Sequence, residues 1–106
     1  MNTSYYENIE FNLTNGQSDY DLDTNQAGFL VKFGPTGPTR QYPNWAEVRT
    51  NEEITVKLNG TSEDSITITS IDVPYIIKDM EIRNMYLSNS SGNTAAIKLR
   101  FQLHGH

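Results

Sequence analysis

Three carboxylates at alternate positions are the first candidate for chemistry in this sequence. Asp19, Asp21 and Asp23 would share one face of an extended strand, and carboxylate oxygens bind hard cations such as Ca²⁺. An EF-hand loop that begins at Asp19 needs glycine at its sixth position and glutamate at its twelfth. The chain has Thr24 and Leu30 there, so an EF-hand is excluded. We expect a solvated acidic segment, with a strand-borne cation site as the alternative.

Histidine and cysteine offer little for a metal centre or a nucleophile. The only histidines, His104 and His106, are one residue apart, and two imidazoles without a carboxylate partner make a poor zinc site. The chain has no cysteine, which excludes disulfides, thiolate ligands and cysteine nucleophiles. The sequence therefore predicts neither a metal nor a cofactor.

Motifs for catalysis are also missing from the sequence. There is no Gly-x-Ser-x-Gly elbow and no glycine-rich phosphate loop before a helix. Adjacent carboxylates occur at Glu52-Glu53 and Glu63-Asp64. Neighbouring residues of a strand point to opposite faces, and pairs in turns are normally solvated. We expect the protein to have no catalytic residues and not to be an enzyme.

Aromatic side chains are concentrated in the first part of the chain. Eight of the eleven lie within residues 1–45, several of them in stretches rich in proline and glycine. Tyrosine and tryptophan combine an apolar ring with a polar tip and are favoured at interfaces. The alternatives are that the rings close the ends of a core, or that Tyr42 and Trp45 form a sugar-stacking platform. The predicted partner-interface residues are Tyr5, Tyr6, Tyr20, Phe29, Phe33, Tyr42 and Trp45.

Strands with period-two alternation are the elements that must position these residues. Residues 53–59 and 65–70 alternate on either side of Asn59-Gly60, which predicts two neighbouring antiparallel strands. Residues 95–103 alternate without a break, and Ile9, Phe11 and Leu13 indicate another strand.

Other segments give a less regular pattern. Residues 79–89 change phase, so we expect either a bulge near Arg83-Asn84 or a strand covered on both faces. Residues 90–93 predict a hairpin loop between that strand and the last one. In the N-terminal half, residues 28–33 predict a buried strand, and residues 45–50 a strand or a short helical turn.

The fold class follows from the number of short strands and the absence of sustained helical spacing. We expect an all-β, antiparallel β-sandwich of the jelly-roll or Ig-like type, with about seven to eight short strands and no long helix. A chain of 106 residues fits one domain. We take residues 1–106 as a single sandwich in which 1–45 are irregular and rich in interface residues.

Charge narrows the classes of partner. The net charge is −5, and residues 1–31 hold five acidic residues and no Lys or Arg. An acidic protein repels phosphate groups, so this charge argues against nucleic acid or an anionic membrane surface as a binding partner. No apolar run reaches the ~20 residues of a membrane span, and the N-terminal residues lack the features of a signal peptide. We expect synthesis in the cytoplasm.

Four runs of the chain carry a family resemblance. They are 48–59 (VRTNEEITVKLN), 64–68 (DSITI), 77–82 (IKDMEI) and 85–92 (MYLSNSSG). Together they resemble the small β-sandwich virion proteins of tailed bacteriophages, which serve as head decoration or cement proteins or as tail and adaptor components. The resemblance lies in strands joined by turns of Asn, Ser, Thr and Gly. It carries over no functional residue.

The resemblance implies a non-enzymatic virion structural protein. The first expectation is a capsid decoration protein that forms a homo-oligomer and binds major capsid or tail proteins by surface contacts. A tail, adaptor or neck component is one alternative. A carbohydrate-binding β-sandwich module is the other.

Overall fold

The computed structural model describes the backbone of residues 4–26 and 41–104, and the side chains of residues 7–26 and 41–103. These residues form eight strands and one short helix. In chain order the elements are β1 (Ser4–Leu13), β2 (Tyr20–Asp21), α1 (Leu22–Asn25), β3 (Trp45–Thr50), β4 (Ile54–Leu58), β5 (Ser65–Ile68), β6 (Tyr75–Lys78), β7 (Met85–Ser88) and β8 (Ala95–His104).

The strands form two antiparallel sheets of four. One, the long-stranded sheet, has the order β1-β8-β3-β6, and the other, the short-stranded sheet, has the order β2-β7-β4-β5. Strands pair from the two ends of the chain inward: β1 with β8, β2 with β7, β3 with β6 and β4 with β5. The described chain therefore behaves as one long hairpin that is wrapped into two sheets, which is the jelly-roll arrangement.

The predicted all-β sandwich is confirmed, and the strand order distinguishes its two forms. In an Ig-like sandwich several consecutive strands are hydrogen-bonded neighbours within one sheet. Among the described strands only β4 and β5 are both consecutive and paired, while the other connections from β3 onward change sheets. The fold is therefore a jelly roll.

Alternating side chains of both sheets fill the space between them. In β3 the side chains of Ala46 and Val48 are buried, whereas the intervening Glu47 and Arg49 face outward. Burying a large aliphatic or aromatic side chain stabilises a fold by about 1.5–3 kcal/mol. The largest fully buried apolar side chains are Phe101, Leu13, Leu22, Ile54, Ile68, Ile82, Met85, Leu87, Ile97, Val48 and Val56.

Two strand predictions are confirmed and one alternative is decided. Ile54 pairs with Ile68 and Lys57 with Ser65, so β4 and β5 form the predicted hairpin. The last strand forms as expected and lies between β1 and β3. Residues 45–50 are a strand, and not a helical turn.

The change of phase in residues 79–89 has a different cause from the one predicted. Strand β6 ends at Lys78 in the long-stranded sheet, and β7 begins at Met85 in the short-stranded sheet. The prediction of one continuous strand over residues 79–89 was therefore wrong. The segment between them crosses the sandwich and buries Ile82, while Met80 is 37% exposed.

The prediction of a hairpin at residues 90–93 was also wrong, because β7 and β8 belong to different sheets. This connection lies at the same end of the sandwich as those between β1 and β2, β3 and β4, and β5 and β6. We call this the crossover end; it comprises residues 14–19, 51–53, 69–74 and 89–94.

The N-terminal region is partly more regular than its sequence indicates. Residues 4–13 form one of the two longest strands and pair with β8 along their whole length. The alternation over residues 19–23 predicted a strand, but only Tyr20–Asp21 are extended and α1 follows at once. The buried strand predicted at 28–33 lies outside the described residues.

Candidate functional site

The outward side of the long-stranded sheet is the candidate site. Its strands align in register, so outward side chains form transverse rows about 4.8 Å apart from strand to strand. Because β8 is central, each row is built around one of its residues: Lys98, Arg100 or Gln102. The rows are Glu10, Lys98 and Arg49; Asn8, Arg100, Glu47 and Ile76; and Gln102, Trp45 and Lys78.

This side, which we call the cationic face, has a charge opposite to that of the whole protein. It holds four of the eight Lys and Arg residues of the chain, Arg49, Lys78, Lys98 and Arg100, and two carboxylates, Glu10 and Glu47. Four positive against two negative charges leave +2. Since the whole chain carries −5, all other residues together carry −7.

A groove of about 240 Å³ lies on the cationic face. In it, Arg49 Nε donates to Glu47 Oε2 at 2.9 Å and Arg100 Nε donates to Asn8 Oδ1 at 3.0 Å. Lys98 has no ion pair or hydrogen bond from its side chain to any described residue. Exposed pairs of this kind contribute at most about 1 kcal/mol, so an incoming carboxylate can replace them. The groove lining is Asn8, Ile9, Glu10, Glu47, Arg49, Lys98, Leu99 and Arg100.

Apolar exposure adds to the same side of the molecule. Ile76 projects from β6 in the row of Arg100 and is 40% exposed. Strand β6 is an edge strand among the described strands, so an apolar side chain there is open to a partner.

Two of the predicted interface aromatics pack within the fold. Tyr20 stacks on Phe11, with ring centroids 5.0 Å apart and planes 11° from parallel, and its hydroxyl accepts a hydrogen bond from Gln26 Nε2. Tyr42 is half-buried and also packs against the core. Both rings thus help to close the core.

Trp45 is the predicted aromatic that lies on the cationic face, where it is half-buried. Tyr42 packs against the core. Tyr5 and Tyr6 belong to β1 and pair with Leu103 and Gln102. Their side chains, and all of Phe29 and Phe33, lie outside the described parts.

Two of the three alternating aspartates have separate structural roles, and the third is exposed. Asp19 Oδ1 forms an ion pair with Lys57 Nζ at 3.2 Å, and Asp21 Oδ1 accepts from the backbone N–H of Thr24 as the N-cap of α1. Asp23 lies within α1 and is exposed. No group of three His, Asp or Glu side chains in the described residues is arranged to hold a metal ion. His104 ends β8, with its side chain outside the described set, and His106 is outside it altogether.

Asp21 is also linked to the connection between β6 and β7. Asn84 Nδ2 donates to Asp21 Oδ1 at 2.9 Å, and Asn84 Oδ1 accepts from the backbone N–H of Asp23. The hydrogen bond from Asn84, with those from Thr24, holds the pKa of the Asp21 carboxyl below its ordinary value of 3.8.

We therefore expect Asp21→Asn to destabilise the protein near neutral pH but not in acid. A carboxyl whose pKa is lowered by folding stabilises the protein above its unfolded-state pKa, and this is lost as the pH falls through the folded-state pKa. Urea unfolding should show the wild type more stable than the variant near neutral pH, with the difference vanishing between about pH 5 and pH 2. Asp23→Asn, which removes a carboxylate of the same helix, is the control. A difference that does not change with pH would contradict this role.

Comparison with known proteins identifies no relative. No family model, curated protein or solved structure matches the chain. In the part of the chain that the structure describes, no helix is long and apolar enough to cross a membrane. The functional argument therefore depends on the jelly roll and on the cationic face.

Proposed function

We propose that this chain is a non-enzymatic structural protein of a tailed-bacteriophage virion, and that it decorates the capsid by binding the shell through its surfaces. The jelly roll is the observation that carries the proposal. Viral capsid domains are among the main users of this double-sheet fold, together with lectins and cupins. The family resemblance of residues 48–92 points in the same direction.

The distribution of polar contacts supports a surface role. Asp19 and Asp21, the residues that first suggested a cation site, are engaged in an ion pair and a helix cap. The cationic face, in contrast, presents Lys98 and Ile76 on the outer side of regular strands. A rigid sheet with charged and apolar outward groups is suited to docking on another protein surface.

The test uses virions of the phage or prophage whose genome encodes the chain. Density-purified virions, and heads and tails separated from them, are analysed by quantitative mass spectrometry. We expect the chain in many copies in the head fraction. Virions that lack it would overturn the proposal, and its presence in tails alone would overturn the capsid role.

A binding experiment complements the mass spectrometry of the virion. Shells from a phage deleted for the gene are mixed with the purified chain and pelleted. We expect saturable co-sedimentation, whereas the folded chain without shells should stay in the supernatant. A folded chain that fails to pellet with its own shells would contradict shell binding.

A further inference from the structure

The charge of the cationic face favours an anionic partner, and the remainder of the same molecule is strongly acidic. The face carries +2 and everything else −7. Each guanidinium of the groove uses only Nε in its contact with a described residue, so its terminal nitrogens keep donors for a carboxylate. Arginine binds carboxylates through such paired donors.

The tip of the β4–β5 hairpin offers carboxylates of the required form. Glu63 and Asp64 are adjacent and exposed, and neither forms an ion pair with any described residue. The preceding residues, Gly60, Thr61 and Ser62, carry no charge and have small side chains. The groove of about 240 Å³ is lined by three cations, Arg49, Lys98 and Arg100, against the two carboxylates Glu10 and Glu47. Its net positive charge is complementary to the two carboxylates of the tip.

The two surfaces belong to different parts of one molecule. The hairpin tip extends from the short-stranded sheet, at the end of the sandwich opposite the crossover end. The groove lies on the outside of the other sheet. A tip therefore cannot occupy the groove of its own chain, and the complementary contact must be made between two copies.

We infer that the cationic face binds the Glu63-Asp64 hairpin tip of a second copy of this chain. The contact is heterologous, because each copy uses its face for one neighbour and its tip for the other. Such contacts form a ring where the rotation closes, or a filament where it does not. This inference deepens the proposed structural role. Its biological significance rests on that role, but self-association itself can be measured with the purified chain alone.

Phosphate backbones fit the same face less well. Two carboxylates, Glu10 and Glu47, lie among the four cations, and the rest of the chain would repel a polyanion. A carboxylate tip approaches only the groove and is repelled over a smaller area. At physiological salt, charges more than about 8 Å apart are largely screened, so the local pairing outweighs the net repulsion.

Sedimentation velocity of the full chain over a range of concentrations and NaCl tests the inference. We expect reversible association that weakens as salt rises. Lys98→Glu on the face and Glu63→Lys at the tip should each weaken it by about tenfold, which corresponds to about 1.4 kcal/mol. The matched controls are Arg83→Glu and Glu53→Lys, which make the same charge changes at exposed positions outside the face and the tip, and they should associate like the wild type.

A mixture of the two variants gives the decisive measurement. Lys98→Glu and Glu63→Lys should associate with each other more strongly than either does with itself, because each reversed surface then meets an opposite charge. Loss on the face variant without loss on the tip variant would overturn the assignment of the tip. A wild type that remains monomeric up to about 1 mM would overturn the inference. If that monomer still pellets with shells, the proposed function stands without it.

Discussion

Replacing Asn89 by aspartate is expected to destabilise the protein by roughly 3–5 kcal/mol. The Asn89 side chain is fully buried, and its Nδ2 donates to the carbonyls of Leu13 at 2.8 Å and Asn93 at 2.7 Å. Its Oδ1 accepts from the backbone N–H of Ser91 at 3.0 Å. An aspartate keeps the acceptor but loses both donors, so a buried carboxylate would face two carbonyl oxygens.

The position of Asn89 explains why so much depends on one amide. Its backbone N–H donates to the carbonyl of Gln17, and its own carbonyl accepts from the N–H of Gly16. One residue thereby joins the β1–β2 and β7–β8 connections, both of which pass between the sheets at the crossover end. Removing one partner of a buried hydrogen bond costs about 1–3 kcal/mol, and here two carbonyls lose their donor.

Urea unfolding at neutral pH measures the effect, with Asn12→Asp as the control. Asn12 is exposed on β1 and has no side-chain hydrogen bond to a described residue, so the same chemical change should alter stability by no more than about 0.5 kcal/mol. The variant Asn89→Asp should also recover part of its stability in acid, because a protonated carboxyl regains one donor. An Asn89 variant as stable as the Asn12 variant would contradict this account.

The parts of the fold that the sequence predicts are those with local causes. Alternation in residues 95–103 and on both sides of Asn59-Gly60 reflects burial of one side of each strand, and both predictions are confirmed. Asn59 has a φ of 69°, which asparagine tolerates better than most residues. Turn chemistry and period-two burial are properties of short segments, so one sequence is enough to show them.

Connections between sheets are where such reasoning fails. The pattern of residues 79–93 resembles a bulged strand followed by a hairpin, because crossing segments and hairpin loops use the same turn residues. What decides the path is non-local: Asn59 Nδ2 donates to the carbonyl of Glu81, and its Oδ1 accepts from the N–H of Arg83. Neither contact has a signature in the sequence around residue 81. The abundance of asparagine was visible, but its use in joining loops was not.

The cationic face shows the same limit at the candidate site. Composition gave a net charge of −5, from which we argued against nucleic acid and anionic membranes as partners, and it gave no sign of a cationic face. Lys98 and Arg100 alternate along β8, and this spacing places both on one side of the strand. Arg49 joins them only because β3 pairs with β8, with Arg49 opposite Lys98. The alternation in β8 could have predicted that Lys98 and Arg100 share a side. The pairing of β3 with β8, about fifty residues apart in the chain, could not be predicted from the sequence.

Truncation of Phe101 to alanine is the second large effect, and we expect it to cost about 3–5 kcal/mol. Phe101 is fully buried in β8, one of the two inner strands of the long-stranded sheet, where it pairs with Glu7 and with Ala46. The residue opposite it, Ala46, has no side chain that could extend into the space left by the ring. Strands on both sides also restrain β8 from moving inward, so a cavity should remain.

Thermal and urea unfolding give the measurement for Phe101→Ala. For a domain of this size the loss corresponds to a fall in melting temperature of roughly 15–35 °C. The melting temperature of Phe101→Leu should lie between those of Phe101→Ala and the wild type, because leucine fills part of the volume of the phenylalanine ring. Ile76→Ala, on the outward side of the same sheet and 40% exposed, should cost less than about 1 kcal/mol. Equal losses at Phe101 and Ile76 would mean that the interior of the sandwich is not packed between the two sheets as the jelly roll requires.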